Sequence, residues 1–384
     1  MEIPMTYRCA HRWAFAGWGQ NLQLRQDELP APQGSEVHVR VTHCGMCHSD
    51  LHIQAGGFDL GGGKLSSLER HAGVKLPVTL GHEISGVVVE LGPDAQGLAL
   101  GEPVVVYPWI GCGVCTTCER GDDHLCVRGA RNLGLQLPGG FANRVSVPHD
   151  RYVVPIGSLD PARAATYACA GITAMSAMRK LDPMGADDHV AIIGCGGVGM
   201  TALALYATLS TARIVAIDPD PAKRAAALAL GAALAFDPSA PEAARAMSKA
   251  CAHNVAAVVD FVGSEATSAL AVGLVRRAGQ VVIVGLFGGE FKLPLPMFAL
   301  RSLRITGSYV GSLPDLRELV ALAQRSALSA ARHTLDFAAF GPSQPGATRP
   351  GAGSRGWAHR AATLRARPSS HHPRSHAQRA GPGR

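Results

Sequence analysis

The chain has 384 residues, of which 47% are apolar and 17% are charged, so it is long enough for two domains with large buried cores. No apolar run approaches the roughly 20 residues of a membrane-spanning helix, and the first residues lack the charged head and apolar stretch of a secretory signal. These features exclude a membrane protein and predict a cytoplasmic one.

The net charge of +7 comes from the end of the chain. Residues 325–384 contain ten Arg, no Lys and one acid, Asp336, so they carry +9 and leave −2 on the preceding 324 residues. This segment is rich in Arg, Pro, Gly, Ser and His and has too few aliphatic residues to offset its ordering entropy. We predict a disordered tail over 326–384. Nucleic-acid binding by this tail is disfavoured because it lacks interleaved aromatic residues and the body is slightly acidic.

Residues 1–155 are predicted to be mostly β-structure. β-Branched runs alternate there with Gly, Pro and Asp turns, at Val37–Val41, Ile84–Leu91, Val104–Tyr107 and Tyr152–Val154. This pattern favours a compact antiparallel domain with long loops, and we expect no regular structure in the loop 56–75. Phe58 and Trp109 either narrow a substrate pocket or belong to the core.

From about residue 160, short buried strands alternate with helices. The expected elements are the strands HVAIIG and RIVAID, the helices Met200–Ser210 and Pro221–Leu230, and the strands Ala256–Phe261 and Gln280–Leu286. Such alternation is typical of βαβ units in a doubly wound parallel sheet. The predicted fold class is α/β, with a mostly-β domain preceding the parallel sheet.

Four cysteines follow one another in the pattern C-x2-C-x2-C-x7-C, at Cys112, Cys115, Cys118 and Cys126. Four thiolates in a short loop match tetrahedral Zn²⁺ and close its coordination shell. An iron–sulfur cluster is the competing cofactor. The spacing therefore predicts a structural metal site.

Three further candidate zinc ligands are scattered along the chain: Cys47 in GMCHSDLH, His82 in GHE and Cys169 in YACAGIT. Two thiolates, one imidazole and one open position describe a catalytic zinc, which lowers the pKa of a bound oxygen toward neutrality. Taken singly, each residue is more often part of a core or a surface. Together they predict a catalytic metal site.

Four neighbouring polar residues support this site. The carboxylates of Asp50 and Glu83 are suited to fix the tautomer of a ligand imidazole. Ser49 and His52 offer a path from a hydroxyl to an imidazole, along which a proton can pass outward to water.

A dinucleotide fingerprint, G-x-G-x-x-G, places Gly194, Gly196 and Gly199 directly after the predicted strand HVAII and at the start of a helix. These glycines permit a tight turn and close approach of a pyrophosphate to the helix N-terminus. Asp218 ends the next strand and is placed to bind both ribose hydroxyls and repel a 2′-phosphate, which favours NAD over NADP. Lys223 is either a second ribose contact or a solvated helix lysine.

The chain resembles the zinc-containing alcohol dehydrogenases of the medium-chain dehydrogenase/reductase superfamily over residues 20 to 324. The stretches CHSDLH, LPVTLGHE, YPW and CAGIT carry the resemblance. It implies two zinc ions, NAD and an alcohol or aldehyde substrate. The implied roles are catalytic zinc ligands for Cys47, His82 and Cys169, structural zinc ligands for Cys112, Cys115, Cys118 and Cys126, supporting carboxylates for Asp50 and Glu83, a proton relay for Ser49 and His52, a pyrophosphate contact for His48 and a nicotinamide contact for Thr173.

The resemblance also implies a domain order. We expect a GroES-like catalytic domain over 1–158 with a structural zinc lobe at about 107–130, a Rossmann domain over 159–300, and a return to the catalytic domain over 301–325. Family members are usually dimers or tetramers, with a strand near Arg304–Val310 often at the subunit contact.

The tail departs from the family, which continues with a helix, strands and a Gly-Arg pair that contacts the pyrophosphate. Its composition is typical of a GC-rich gene translated in the wrong frame, which suggests a frameshift near codon 325. The main prediction is a zinc-dependent enzyme that oxidises a primary or secondary alcohol to an aldehyde or ketone and passes hydride to NAD. One alternative is an inactive zinc-binding remnant without the end of its catalytic domain, and another is a zinc-free reductase of the same superfamily.

Overall fold

A computed structural model gives the structure of the chain, and it describes residues 9–240, 242–325, 333–336 and 362–365. Within these ranges no helix is long and apolar enough to cross a membrane.

The first half of the chain is antiparallel β-structure with short helices, as predicted. Its elements are β1 (Cys9–Phe15), β2 (Gln23–Glu28), β3 (Val37–Gly45), α1 (His48–Ala55), β4 (Gly57–Asp59), β5 (Leu65–Ser67), α2 (Leu68–Ala72), β6 (Val78–Thr79), β7 (Glu83–Leu91), β8 (Pro103–Val106), β9 (Trp109–Ile110), α3 (Thr116–Glu119), β10 (Arg131–Asn132), β11 (Arg144–Val147) and β12 (Val153–Pro155). Strands β12, β8, β7 and β3 pair in that order, and β11 also pairs with β3. The prediction of no regular structure in 56–75 is wrong, because β4 and β5 form a small antiparallel hairpin there and α2 follows it.

Alternation along β3 shows why this sheet forms. Val37, Val39 and Val41 are buried on one face, whereas on the other face Arg40 is exposed and His38 is also buried. Successive side chains of a strand point to opposite faces, so β-branched residues two apart cover one face of the core.

The second half contains the parallel sheet. Its elements are α4 (Pro161–Thr166), a π-helical turn (Tyr167–Gly171), α5 (Ile172–Arg179), β13 (His189–Ile193), α6 (Gly197–Leu209), β14 (Arg213–Ile217), α7 (Pro221–Ala229), β15 (Leu234–Phe236), α8 (Ala243–Ala250), β16 (Val255–Asp260), α9 (Glu265–Leu274), β17 (Gln280–Ile283), α10 (Pro296–Arg301), β18 (Arg304–Gly307) and α11 (Leu313–Arg325). Six parallel strands pair in the order β15-β14-β13-β16-β17-β18. The strand order reverses between β13 and β16, and such a point opens a ligand crevice beyond the carboxyl ends of the strands.

Two short strands of the tail are described. Strand β20 (Ala362–Arg365) pairs antiparallel with β3, opposite residues 43–45, and β19 (His333–Asp336) pairs parallel with β20. The predicted disorder of the rest of 326–384 concerns residues that lie outside the described part of the chain.

Candidate active site

The three separated zinc ligands come together at one end of the antiparallel sheet. One ligand atom from each of Cys47, His82 and Cys169 lies within 4.8 Å of the other two, and the sulfur atoms of Cys47 and Cys169 are 3.9 Å apart. His82 and Cys169 are buried, and Cys47 is half-buried. His82 and Cys169 lie 35 and 122 positions after Cys47 in the sequence, yet they meet it in the structure. The catalytic proposal depends on this convergence.

Strand register explains this convergence. Gly45 on β3 pairs with Glu83 on β7, so Cys47, two residues after the pair, and His82, one residue before it, reach the same edge. Cys169 arrives on the π-helical turn between α4 and α5. π-Helical turns are rare and occur frequently at functional sites.

The arrangement fits a metal ion. Nε2 of His82 is buried without a hydrogen-bond partner among the described residues, whereas Nδ1 lies 3.3 Å from Oδ1 of Asp50. A carboxylate on one ring nitrogen orients a histidine so that the other nitrogen binds metal. Asp50 is held in turn by the backbone N–H groups of Cys47, at 2.9 Å, and Gly81, at 3.3 Å.

The groups of this cluster favour the deprotonated form of one cysteine, Cys47. The thiol of Cys169, which faces the sulfur of Cys47, lowers the pKa of Cys47 well below its usual range, and the same contact raises the pKa of Cys169. Burial disfavours the charged form of His82, but Asp50 and Cys47 outweigh this and raise its pKa. A cation would stabilise both sulfurs as thiolates.

Glu83 lies beside the cluster rather than on the imidazole. Its Oε1 accepts a hydrogen bond from the backbone N–H of Ala170, next to Cys169, at 3.3 Å. Burial and the nearby Cys47 thiolate raise the pKa of Glu83 well above its ordinary value. A cation bound nearby would stabilise the charged form of this buried carboxylate and lower its pKa.

The predicted relay and pyrophosphate residues lie on α1, directly after Cys47. The rings of His48 and His52 are 5.0 Å apart, and burial lowers the pKa of both imidazoles. The backbone N–H of Ser49 stabilises the Cys47 thiolate. Thr173, the predicted nicotinamide contact, is buried near the start of α5.

The second cysteine cluster is a separate site. The sulfurs of Cys112, Cys115, Cys118 and Cys126 lie within 4.8 Å of one another, and those of Cys115 and Cys118 are 3.4 Å apart. The backbone N–H of Cys112 also points at the sulfur of Cys126, at 3.4 Å. Converging sulfurs with backbone N–H support are typical of a closed tetrahedral zinc site.

The glycine-rich turn has the geometry of a dinucleotide site. Gly194 has a φ of 89°, and a Cβ on Gly199 would lie 1.9 Å from the carbonyl oxygen of Gly194. A Cβ on Gly196 would meet nothing within 4 Å, so open space faces the turn at the N-terminus of α6. This space suits a phosphate group, which a helix N-terminus attracts.

Asp218 is fixed beside that turn. Its Oδ2 accepts from the backbone N–H of Cys195 at 2.9 Å and lies 3.5 Å from Nζ of Lys223, while Oδ1 accepts from the N–H of Asp220 at 2.9 Å. The Lys223 side chain is only 18% exposed, so it is not a freely solvated helix lysine.

Sequence reasoning missed two aromatic residues near the catalytic cluster. Tyr309 lies edge-on to Trp109, with ring centroids 5.8 Å apart, and Trp109 is 5.6 Å from the ring of His82. Phe287 stacks on His48. Its position just after a parallel strand was an available signal, because such strand ends face the ligand. Of the two residues named as pocket candidates, Trp109 adjoins His82, whereas Phe58 faces His52.

Comparisons with known proteins agree with these sites. Residues 33–158 match the alcohol dehydrogenase GroES-like domain, and residues 197–325 match the zinc-binding dehydrogenase family. An NAD-dependent alcohol dehydrogenase of Sulfurisphaera tokodaii is 35% identical over 310 residues, which cover 80% of this chain and 87% of the relative. One of Saccharolobus solfataricus is 36% identical over 314 residues, with the same coverage.

A solved structure supports the same family assignment. The alcohol dehydrogenase of Aeropyrum pernix superposes with a TM-score of 0.76 and 30% identity, over 85% of this chain and 93% of that chain. The chain therefore belongs to the zinc-containing, NAD-dependent alcohol dehydrogenases of the medium-chain dehydrogenase/reductase superfamily.

Proposed function

We propose that this chain oxidises a primary or secondary alcohol to an aldehyde or ketone, with zinc held by Cys47, His82 and Cys169 and hydride passed to NAD. The convergence of these three ligand atoms within 4.8 Å carries the proposal. Zinc, when bound, supplies Lewis acidity, and NAD supplies the hydride acceptor.

The surrounding residues hold the ligand set in place. Asp50 fixes the tautomer of His82, and its bond to the N–H of Cys47 secures the start of α1. Glu83 accepts a hydrogen bond from the backbone N–H of Ala170 and so holds the turn that carries Cys169. Trp109 donates its indole N–H to the carbonyl oxygen of Ala168 at 3.2 Å, so its ring is a fixed wall beside His82 and narrows the substrate space.

A proton leaves along α1. Ser49 and His52 are three residues apart and therefore lie on one face of the helix, with Ser49 nearer the cluster. The Ser49 hydroxyl takes up the proton of the substrate alcohol as it passes its own proton to the neutral imidazole of His52, which burial favours, and His52 releases that proton outward.

The crevice beyond the carboxyl ends of β13, β14 and β16 would hold NAD. Asp218 binds the ribose hydroxyls and repels a 2′-phosphate, while Lys223 neutralises part of its charge. Thr173 would contact the nicotinamide, and His48 would contact the pyrophosphate. The four-cysteine cluster holds the structural zinc.

The protein assembles as a homodimer or homotetramer through the edge of the parallel sheet. Strand β18 has a neighbour on one side only within the described chain, and α10 beside it has no buried residue. Leu295 is 80% exposed and Leu300 is 73% exposed. Apolar side chains beside an open strand edge are typical of a surface that another subunit covers.

The test is NAD⁺ reduction by purified protein across short aliphatic, branched and aromatic alcohols, with zinc measured on the same sample. We expect about two zinc ions per chain and turnover that stops when zinc is removed. Zinc without turnover would favour the inactive remnant. Protein without zinc that still reduces a carbonyl would favour the zinc-free reductase.

A further inference from the structure

Phe287 connects the two halves of the chain at the mouth of the cofactor crevice. It comes from the loop after β17, in the parallel sheet, and its ring stacks on His48 of α1 with centroids 4.8 Å apart and planes at 19°. The same ring meets His52 edge-on at 6.5 Å. Both distances lie within the range of favourable aromatic pairs.

The loop that carries Phe287 is held by the neighbouring loop of the parallel sheet. The backbone N–H of Phe287 donates to the carbonyl oxygen of Val262, and that of Gly288 donates to Gly263, each at 3.1 Å. Asp260 is completely buried and accepts from the N–H groups of Val262 and Gly263, at 2.9 and 3.0 Å. The buried Asp260 therefore holds the loop of Val262 and Gly263, and this loop in turn holds the backbone of Phe287.

The same loop also contacts the β4–β5 hairpin. A Cβ on Gly288 would lie 2.5 Å from the carbonyl oxygen of Asp59, so only glycine permits this close approach. Phe287 nevertheless remains 53% exposed, although it is a large apolar side chain in a loop with fixed neighbours on both sides. Phe287 follows the carboxyl end of β17, which is the edge of a parallel sheet where ligands bind, so a ligand in the crevice would cover its exposed part.

We propose that Phe287 is a positioning residue for dinucleotide binding, because its ring holds the imidazole of His48 against the cofactor crevice. This inference rests on the proposed function of His48 and deepens it. Without the ring, His48 samples several rotamers and must be ordered when the pyrophosphate binds, so affinity falls. The adenosine end of the site, at Asp218, does not depend on Phe287.

The experiment is calorimetric binding of ADP-ribose and of AMP to the zinc-loaded protein. ADP-ribose carries the pyrophosphate but no nicotinamide, and AMP lacks the pyrophosphate. We expect Phe287→Ala to weaken ADP-ribose binding about five-fold and AMP binding less than two-fold, from the usual strength of a stacked pair. Phe287→Tyr keeps the ring and should restore binding. Leu209→Ala is the matched control, since Leu209 is 52% exposed and ends α6 away from the glycine-rich turn.

A double-mutant cycle with His48→Ala separates positioning from a general structural effect. If Phe287 acts through His48, its removal from the His48→Ala protein weakens ADP-ribose binding little further. Additive losses, equal losses for ADP-ribose and AMP, or tighter ADP-ribose binding by Phe287→Ala would overturn the proposal. A wild-type protein that binds neither nucleotide would instead overturn the dinucleotide site itself.

Discussion

Oδ1 of Asp50 lies 3.3 Å from Nδ1 of His82, and both side chains are buried. Because Nε2 of His82 is buried in the cluster with Cys47 and Cys169, without a hydrogen-bond partner in the described part of the chain, this contact decides which ring nitrogen would bind a metal. Loss of such a carboxylate typically costs a metal site roughly 10- to 100-fold in affinity.

We therefore expect Asp50→Asn to weaken catalytic zinc binding roughly 10- to 100-fold and to lower kcat, with the fold retained. Competition with a chromophoric chelator measures the affinity, and circular dichroism checks the fold. The asparagine oxygen can still accept from the N–H of Cys47, so the start of α1 is preserved. Unchanged zinc affinity would show that His82 needs no carboxylate.

Zinc counting distinguishes the two sites. Cys118→Ser should remove about one zinc ion per chain and lower Tm, whereas Cys47→Ser should remove about one and abolish turnover. The matched control is Cys251→Ala, because Cys251 is completely buried and lies outside both clusters. It should retain about two zinc ions. Loss of both ions from Cys118→Ser would mean that the clusters do not bind independently.

The sequence predicted local clusters better than long-range contacts. The four cysteines of the lobe are within fifteen residues, so spacing alone fixes their proximity. The glycine-rich turn is equally local, because it requires only a preceding strand and a following helix. Cys169 is different, since its approach to Cys47 depends on a π-helical turn that no sequence pattern marked.

Contacts between loops were the least predictable part. The hairpin of β4 and β5 is only three residues a strand, and it is held by the loop of Gly288 rather than by its own apolar pattern. Phe287 and Tyr309 carry no motif, and their partners are far away in the chain. Their roles follow from tertiary packing, which overrides local propensity at such positions.

Cofactor choice should depend on the charge of Asp218. We expect Asp218→Asn to lower kcat/KM for NAD⁺ about ten-fold and to raise the ratio of NADP⁺ to NAD⁺ activity, because a charged hydrogen bond to ribose is lost and the repulsion of a 2′-phosphate disappears. Initial rates with both cofactors measure this. Asp187→Asn makes the same charge change at the exposed turn before β13, at the opposite end of the sheet, and should leave the ratio unchanged. An unaltered ratio in Asp218→Asn would exclude Asp218 as the selector.

We expect the pH dependence of stability to reflect the protonation of His52 on α1, whose ring contacts those of His48, Phe58 and Phe287. Burial lowers the pKa of His52 below its ordinary value of about 6.5, and the neighbouring His48 lowers it further, although the Cys47 thiolate opposes this. The unfolded chain thus takes up a proton at a higher pH than the folded one. The stability linked to neutral His52 is present above about pH 6.5 and is lost as the pH falls through the lower folded pKa.

We expect Tm of the wild-type protein to drop between pH 7.5 and pH 5.5, and the drop to be smaller in His52→Gln, which cannot be protonated. Differential scanning calorimetry on zinc-loaded samples measures both. His71→Gln is the control, because His71 is exposed and outside this cluster, and it should show the wild-type drop. The rings of Phe58 and Phe287 flank His52 and carry no net charge, so the Cys47 thiolate alone only partly offsets the desolvation of a protonated His52. An equal drop in His52→Gln and the wild type would assign the acid sensitivity to other groups.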